Sequence, residues 1–507
     1  MMYDVVIMGS GLGGLACANM LAREGMKVCV LEKNRQYGGN LQIFSRGKTV
    51  FDTGVHYLGG LGEGENLYRI FRYFGIMDKL DLEPLDPEGF DRICFDGDPN
   101  EYPQAVGHEN FVERLSAYFP EERENLRRYV KDMQAICEAF PLYNLRLHDG
   151  NFLENTSRYY GTSLEEYINA LTSNALLRSV LLGNAPLYAG QAGKTPLYLH
   201  ALIVNSYITS SWRCRKGGAQ IASEMIKVIR SLGGELKNYA EVVRLRLVDN
   251  QVQAAELKSG ERVEGKLFIS NMHPVNTFDL LPDGVLRKSY INRITGLDNT
   301  ISTFMLNVVM KKRTTPSFNH NLYYYKKKED VLIRDANYKD NWPGHFCVFP
   351  SAHGADGGFL ENMSVMSYMD FDDVRSWAGT FRTIPGDSDS RGESYERFKR
   401  EKSELLIEEM RKRFPGIRDA IQSYTASTPL TYRDYLGCRE GALYGLLKDY
   451  KEPMKTFINS RTRIPNLYLT GQSIHMHGIL GVTIGAILTV GEILGASYIV
   501  NRISEAN

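Results

Sequence analysis

Gly9-Ser10-Gly11-Leu12-Gly13-Gly14 stands between an apolar run, Val5-Val6-Ile7-Met8, and a helical stretch from Leu15 to Gly25. A second apolar run, Val28-Cys29-Val30-Leu31, follows and ends on Glu32. Strand, tight glycine turn, helix, strand and acid is the layout that a dinucleotide requires. Gly9 permits the sharp turn, Gly11 lets backbone approach a pyrophosphate, and Gly14 lets helix and strand pack closely. The helix start offers free amides and partial positive charge to phosphate. Glu32 lies where an acid hydrogen-bonds a ribose diol, which argues against a 2′-phosphate on that ribose. The other reading of the turn, a glycine bend that binds nothing, does not account for the flanking strands and the acid.

The rest of the chain must be built around that unit. Its 507 residues are enough for two or three domains at roughly 100–200 residues each. Lys+Arg and Asp+Glu both number 60, so no global charge draws the protein toward nucleic acid. The seven cysteines (17, 29, 94, 137, 214, 347 and 438) form no CxxC pair. That suits free thiols in a reducing compartment, and a cytoplasmic location, rather than a disulfide framework or zinc site. The first residues lack the basic leader of a signal peptide. Gly478 to Val500 is long enough to span a bilayer. Glu492 inside it, and glycines at 478, 481, 485, 491 and 495, fit a buried helix instead.

From about Gly75 to Asn205 the pattern reads as mostly helical, including 110–119, 121–140 and 164–182. Alternation then takes over. The runs 242–248, 251–257 and 262–269, with turns at Asp249-Asn250 and Ser259-Gly260, predict a three-stranded meander. Residues 301–310 and 321–326 read as further strands, 393–413 as a charged amphipathic helix, and 466–470 as a last apolar strand before the glycine-spaced helix. The segment 386–392, rich in Ser and Asp, reads as a loop. The expected fold class is α/β: a discontinuous Rossmann-type domain over 1–75, 205–280 and 455–507, with an inserted α+β substrate domain over 76–204 and 281–454. The basic-aromatic run Tyr323-Tyr324-Tyr325-Lys326-Lys327-Lys328 reads as a solvated edge strand, with peripheral membrane contact left open. The segment 164–204 either lines an apolar tunnel or is plain core.

Four segments carry a family resemblance: the GSGLGG turn with Glu32, FDTGVHYLGG at 51–60, TPLTYRDYLGCREGALYG at 428–445, and NLYLTGQSIHMHGILGVTIGA at 466–486. Together they resemble the FAD-dependent carotenoid desaturases, carotenoid isomerases and retinol saturases, nearest the retinol saturase branch. Many desaturases carry an acid after the C-terminal Thr-Gly; here it is Gln472.

The resemblance implies FAD. It implies that Gly9, Gly11, Leu12, Gly13 and Gly14 cradle the ADP half, with Glu32 on its ribose and Val242 or Val243 offering backbone to the adenine. Lys33, Gly38, Gly39, Asn40, His56, Gly471, Gln472, Gly478, Gly481 and Val482 complete the implied cofactor set. It further implies an apolar isoprenoid or polyene substrate whose carbon–carbon double bond is saturated or, in reverse, formed. Hydride then comes from the flavin, and the proton from His56, Tyr57 or water. Imidazole titrates near neutrality, which suits His56 to that task, although a lone histidine is more often structural. His475 and His477 supply two ligands in a glycine loop, too few for a metal site. The electron donor or acceptor is not named by the sequence. Rivals are a carotenoid desaturase or isomerase and, outside enzymes, a prenyl-lipid escort of the Rab GDP-dissociation inhibitor kind.

Overall fold

The computed structural model describes residues 2–146, 152–334, 341–352, 358–381 and 391–506. Its first sheet grows from the N-terminal glycine unit. The strand Met2–Met8 pairs in parallel with Val28–Leu31 on one edge and with Arg262–Ser270 on the other. Glu235–Lys237 extends the sheet beyond Val28–Leu31. Val5–Met8 and Val28–Leu31 are continuous apolar runs because both of their faces are covered. The helix Leu12–Arg23 buries every residue from Leu12 to Ala22.

Arg262–Ser270 serves two neighbours along its second edge. Its first half pairs antiparallel with Gln251–Leu257, which in turn pairs with Val242–Val248. Its second half pairs in parallel with Leu467–Leu469. Asn466 seals the junction: Nδ2 donates to the carbonyls of Val252 and Lys266 at 2.8 and 2.9 Å, and Oδ1 accepts from Val252 N at 2.9 Å. The expected meander is therefore present. Leu286, Ile294 and Leu297 pack in the apolar cluster beneath it, with Leu245 and Val263.

The second sheet has seven strands in the order 421–427, 302–310, 362–369, 345–350, 321–325, 91–95 and 102–104. Its period-2 alternation sends Ile93, Tyr323, Tyr325, Cys347, Phe349 and Met366 into a cluster with the helices between 108 and 209. Cys94, Leu322, Tyr324, Phe346, Val348 and Val365 face the other way, onto the helix Glu393–Met410.

Two expectations change here, and the mostly helical stretch 75–205 also holds a strand, Asp91–Phe95, that pairs in parallel with Asn321–Tyr325. Within 164–182 the helix breaks into Leu164–Leu171 and Ala175–Leu181, because the Asn174 side chain caps the second by accepting from Leu176 N and Leu177 N, both at 3.1 Å. Tyr323, Tyr324 and Tyr325 lie on a central strand and all three are buried, so the run is not a solvated edge.

The glycine-spaced C-terminal run forms a helix, Gly478–Leu494, that stops at Gly495, where φ is +97°. Its Val482, Ala486, Ile487 and Val490 share a core with Leu15, Ala18 and Leu21 of the first helix. Among the described residues no helix is long and apolar enough to cross a membrane. The segment 386–392 lies mostly outside the described residues.

Candidate active site

The carboxyl ends of four parallel strands converge: Met8, Leu31, Ser270 and Leu469. A crevice at such ends, where the chain crosses to either side of the first strand, is the usual ligand site of an open α/β sheet. Each strand delivers its next residues there: the Gly9–Gly14 turn, Glu32, Asn271 and Gly471.

The turn is built for close approach. Gly9 has φ +94°, and a Cβ on Gly14 would lie 2.1 Å from the Gly9 carbonyl oxygen. A Cβ on Gly11, Gly13 or Gly471 would strike the Asn271 amide at 2.6–2.8 Å. With the amide oriented to satisfy both of its ends, Asn271 Oδ1 accepts from Gly11 N at 3.3 Å and Gly14 N at 3.2 Å. Asn271 thus braces the turn from behind. No sequence motif marks it, because its role depends on the turn and on a strand some 260 residues away meeting in space.

Glu32 is held just as firmly. Its Oε2 accepts from Ser10 N at 3.1 Å and Ser10 Oγ at 2.6 Å, and its Oε1 from Asn34 N at 2.9 Å. Lys33 Nζ donates to the Asp434 carbonyl and Asn34 Nδ2 to the Tyr435 carbonyl, both at 2.7 Å. The segment 434–437 is thereby drawn over this end. It is fixed further by the buried Asp434 carboxylate, which pairs with Arg391 and Arg433.

A cavity of about 410 Å³ runs from this end through the crevice and on to the second sheet. Gly9, Gly11, Leu12, Gly13, Glu32, Lys33, Gly38, Gly39, Asn40, His56, Tyr57, Gln472, Gly478 and Val482 all line it. The start of the helix Gly478–Leu494 opens on it with no side-chain cap, leaving amide donors for an anion or an electron-rich ring. Gly14, Gly471 and Gly481 lie behind the wall: a Cβ on Gly481 would meet Met476 Cβ at 2.7 Å. Val243 is 47% exposed; the meander residue on the wall is Val242. His475 Nε2 meets Ser460 Oγ at 2.9 Å, whereas the His477 ring lies 4.4 Å from that of Tyr444. The two histidines therefore face different neighbours. Elongated shape, a glycine wall, an oriented acid at one end and an uncapped helix start fit an adenine dinucleotide.

The far end is aromatic. Tyr207, Met305, Tyr323, Phe349, Met366 and Tyr444 form its walls, with Leu187 and Leu443. His56 stands here with its Nε2 buried and lacking a hydrogen-bond partner. Burial, aided by the Arg213 charge, lowers its pKa to about 4. The imidazole is thus neutral near pH 7, not titrating there as its ordinary value would suggest.

Tyr57 has a partner that sequence reasoning missed. Its hydroxyl donates to Asp91 Oδ2 at 2.7 Å and lies 2.6 Å from the Tyr323 hydroxyl. Asp91 is fully buried, accepting also from Asn184 Nδ2 at 2.5 Å and Asn321 Nδ2 at 2.8 Å. Desolvation raises its pKa to about 7 despite those donors and Arg213. The one available signal was an acid in a run, Phe90 to Phe95, that is otherwise apolar except for Arg92.

A family model for NAD(P)-binding Rossmann-like domains matches residues 7–74. All-trans-retinol 13,14-reductase from Homo sapiens is 29% identical, over 97% of this chain and 85% of that protein. A chloroplastic prolycopene isomerase from an Oncidium hybrid cultivar is 24% identical, over 96% of this chain and 83% of its own length. Among solved structures, an oxidoreductase from Methanosarcina mazei superposes with a TM-score of 0.65 at 15% identity, covering 96% of this chain and 100% of that one; it shares the fold. The glycine crevice, the uncapped helix start and these relatives agree: the chain is an FAD-dependent oxidoreductase, similar over nearly its whole length to all-trans-retinol 13,14-reductases and prolycopene isomerases.

Proposed function

We propose that this protein saturates, or in the reverse direction forms, a carbon–carbon double bond in an apolar isoprenoid or polyene. The observation that carries this reading is the change of character along one continuous cavity. Charged side chains on its wall (Glu32, Lys33, Glu241) are confined to the dinucleotide end. Among the described residues, no charged side chain lines the aromatic end. A cationic amine would have no counter-ion there, whereas a polyene needs only apolar contact and ring faces.

In this reading Gly9, Gly11, Leu12 and Gly13 take the pyrophosphate, with Gly14 packed behind them and Asn271 bracing the turn, while Glu32 takes the ribose and Val242 borders the adenine. Lys33, Gly38, Gly39 and Asn40 line the same half. Gln472, Gly478 and Val482 border the ring system, with Gly471 and Gly481 permitting the close packing behind them. FAD, when bound, supplies hydride-transfer chemistry, and the protein supplies orientation and a dry pocket. His56, neutral, closes the wall between cofactor and substrate. Tyr57 and Tyr323 are the hydroxyls at hand to exchange a proton with the second alkene carbon.

The test is spectral and then chemical. The purified protein, incubated with FAD and desalted, should retain a flavin absorbance spectrum. After anaerobic reduction, retinol or a carotenoid is added and reoxidation and products are followed. Reoxidation with a saturated product supports the reading, and retinol and carotenoid products distinguish saturase from desaturase or isomerase. A folded sample that binds FAD but transfers no electrons to any polyene defeats it.

A further inference from the structure

We propose that Asp91 is a positioning residue that sets, by its proton load, whether the Tyr57–Tyr323 pair presents a hydrogen-bond donor or an acceptor to the aromatic end of the cavity. The inference deepens the functional reading above and rests on it for the identity of the acceptor carbon.

Asp91 Oδ2 and the two hydroxyls form a continuous chain, with links of 2.7 and 2.6 Å. Tyr57 and Tyr323 line the cavity; Asp91 lies behind them, with no exposed surface. When Asp91 is ionised it accepts the Tyr57 proton, and Tyr57 oxygen accepts the Tyr323 proton. Both phenol protons are then spent inside the chain, and the pair offers the cavity only lone pairs. When Asp91 carries a proton, it donates to Tyr57. The chain then holds one proton more, and one phenol O–H is released toward the cavity. Asn184 and Asn321 hold the carboxyl in place in both states.

The balance closes for saturation. A phenol O–H breaks as the new C–H bond forms on the second alkene carbon, and hydride arrives at the first carbon from a reduced flavin. The phenol recovers its proton along the chain, and Asp91 is left as carboxylate until it reprotonates. Dehydrogenation runs the same chain from its ionised state.

The titratable groups facing Asp91 are Tyr57, Tyr323 and Tyr325, Tyr207, Cys347, and the Arg213 guanidinium from the strand Ser211–Cys214. Burial raises the phenols and the thiol far out of the neutral range, so they hold their protons. Arg213 keeps its charge. Asp91, raised to about 7, is therefore the member of this set that changes state near neutrality.

Infrared difference spectroscopy of the FAD-loaded protein across pH, without substrate, reads the proton directly. A protonated-carboxyl C=O band with its midpoint near pH 7 should fade as pH rises and be absent in Asp91→Asn, whereas the band of Asp52, raised to about 6, should remain. In Tyr57→Phe the band should persist with its midpoint moved to higher pH, because a donor to the carboxylate has gone; this arm stands if Asp91→Asn does not fold. In turnover, the wild-type saturation rate should fall as pH rises through the same midpoint. Asp91→Asn should flatten that dependence, and Tyr57→Phe should slow the reaction about 10²-fold, the low end of general acid catalysis. A carboxylate at every pH, or a pH profile unchanged in Asp91→Asn, overturns the proposal. The infrared arm is decided even if no polyene reacts, so failure of this inference is separable from failure of the functional reading.

Discussion

The imidazole of His56 lies flat on the Phe349 ring, with centroids 4.4 Å apart and planes 1° from parallel. Stacking of this kind orients the ring, and burial keeps it neutral. His56 should titrate near pH 4 in an NMR pH series. His56→Phe, which keeps the stack, should leave the neutral-range pH dependence of turnover where it was. A histidine resonance titrating between 6 and 7 that disappears in this variant would contradict the assignment.

Acid should destabilise the fold early. Burial lowers His56, His273, His320 and His475 to about 4, and His200, His345 and His477 to about 3. Below an ordinary histidine value of 6.5 the unfolded chain takes up protons that the folded chain refuses. Stability is therefore lost as pH falls from about 6.5 toward 4. Asp52 and Asp91, raised to about 6 and about 7, act in the opposite sense: their contribution is present at low pH and lost as pH rises through those values. Seven groups outweigh two. Thermal unfolding should show Tm falling between pH 7 and pH 5; a rising Tm over that interval would refute the sign.

Two glycines of the same βαβ unit should behave differently. Gly14→Ala forces its Cβ to 2.1 Å from the Gly9 carbonyl, backbone against backbone. Overpacking of this kind costs roughly 1–3 kcal/mol, and the protein should no longer retain flavin after desalting. Gly25 has φ +76° with nothing within 4 Å of its Cβ. Gly25→Ala should cost about 1 kcal/mol through backbone strain alone and retain flavin fully.

Asn271 and Gly11 should be coupled. Asn271→Ala leaves the Gly11 and Gly14 amides without their partner, at a cost of about 1–3 kcal/mol. Gly11→Ala alone meets the Asn271 amide at 2.8 Å. In the double variant that clash is gone, so the summed loss in Tm should exceed the observed loss. Strict additivity would mean that Asn271 does not fill the turn.

The N-terminal unit was legible because its information is local: a period that switches from strand to helix, a turn only glycine can make, and an acid one strand later. The meander was legible for the same reason, with turn residues at fixed offsets. Asp91–Phe95 was not, since five residues carry little periodicity and their strand character comes from pairing with Asn321–Tyr325 and Tyr102–Gln104. The error over the tyrosine run has the same origin. Whether a strand is central or at an edge depends on which segment arrives to pair with it, and here that segment reads as helical. Asn271 and Asp91 escaped notice because each acts through a partner distant in sequence.

Arg262–Ser270 holds the meander on half of one edge and Leu467–Leu469 on the other half. Leu467–Leu469 brings Gly471, Gln472 and the helix start at Gly478 to the crevice. The glycine turn and this wall lie some 460 residues apart along the chain, so a ribosome delivers the two sides of one crevice at widely separated times. A product that stops before residue 467 carries the glycine turn and an unfilled strand edge on Arg262–Ser270, and has no wall with which to enclose a dinucleotide.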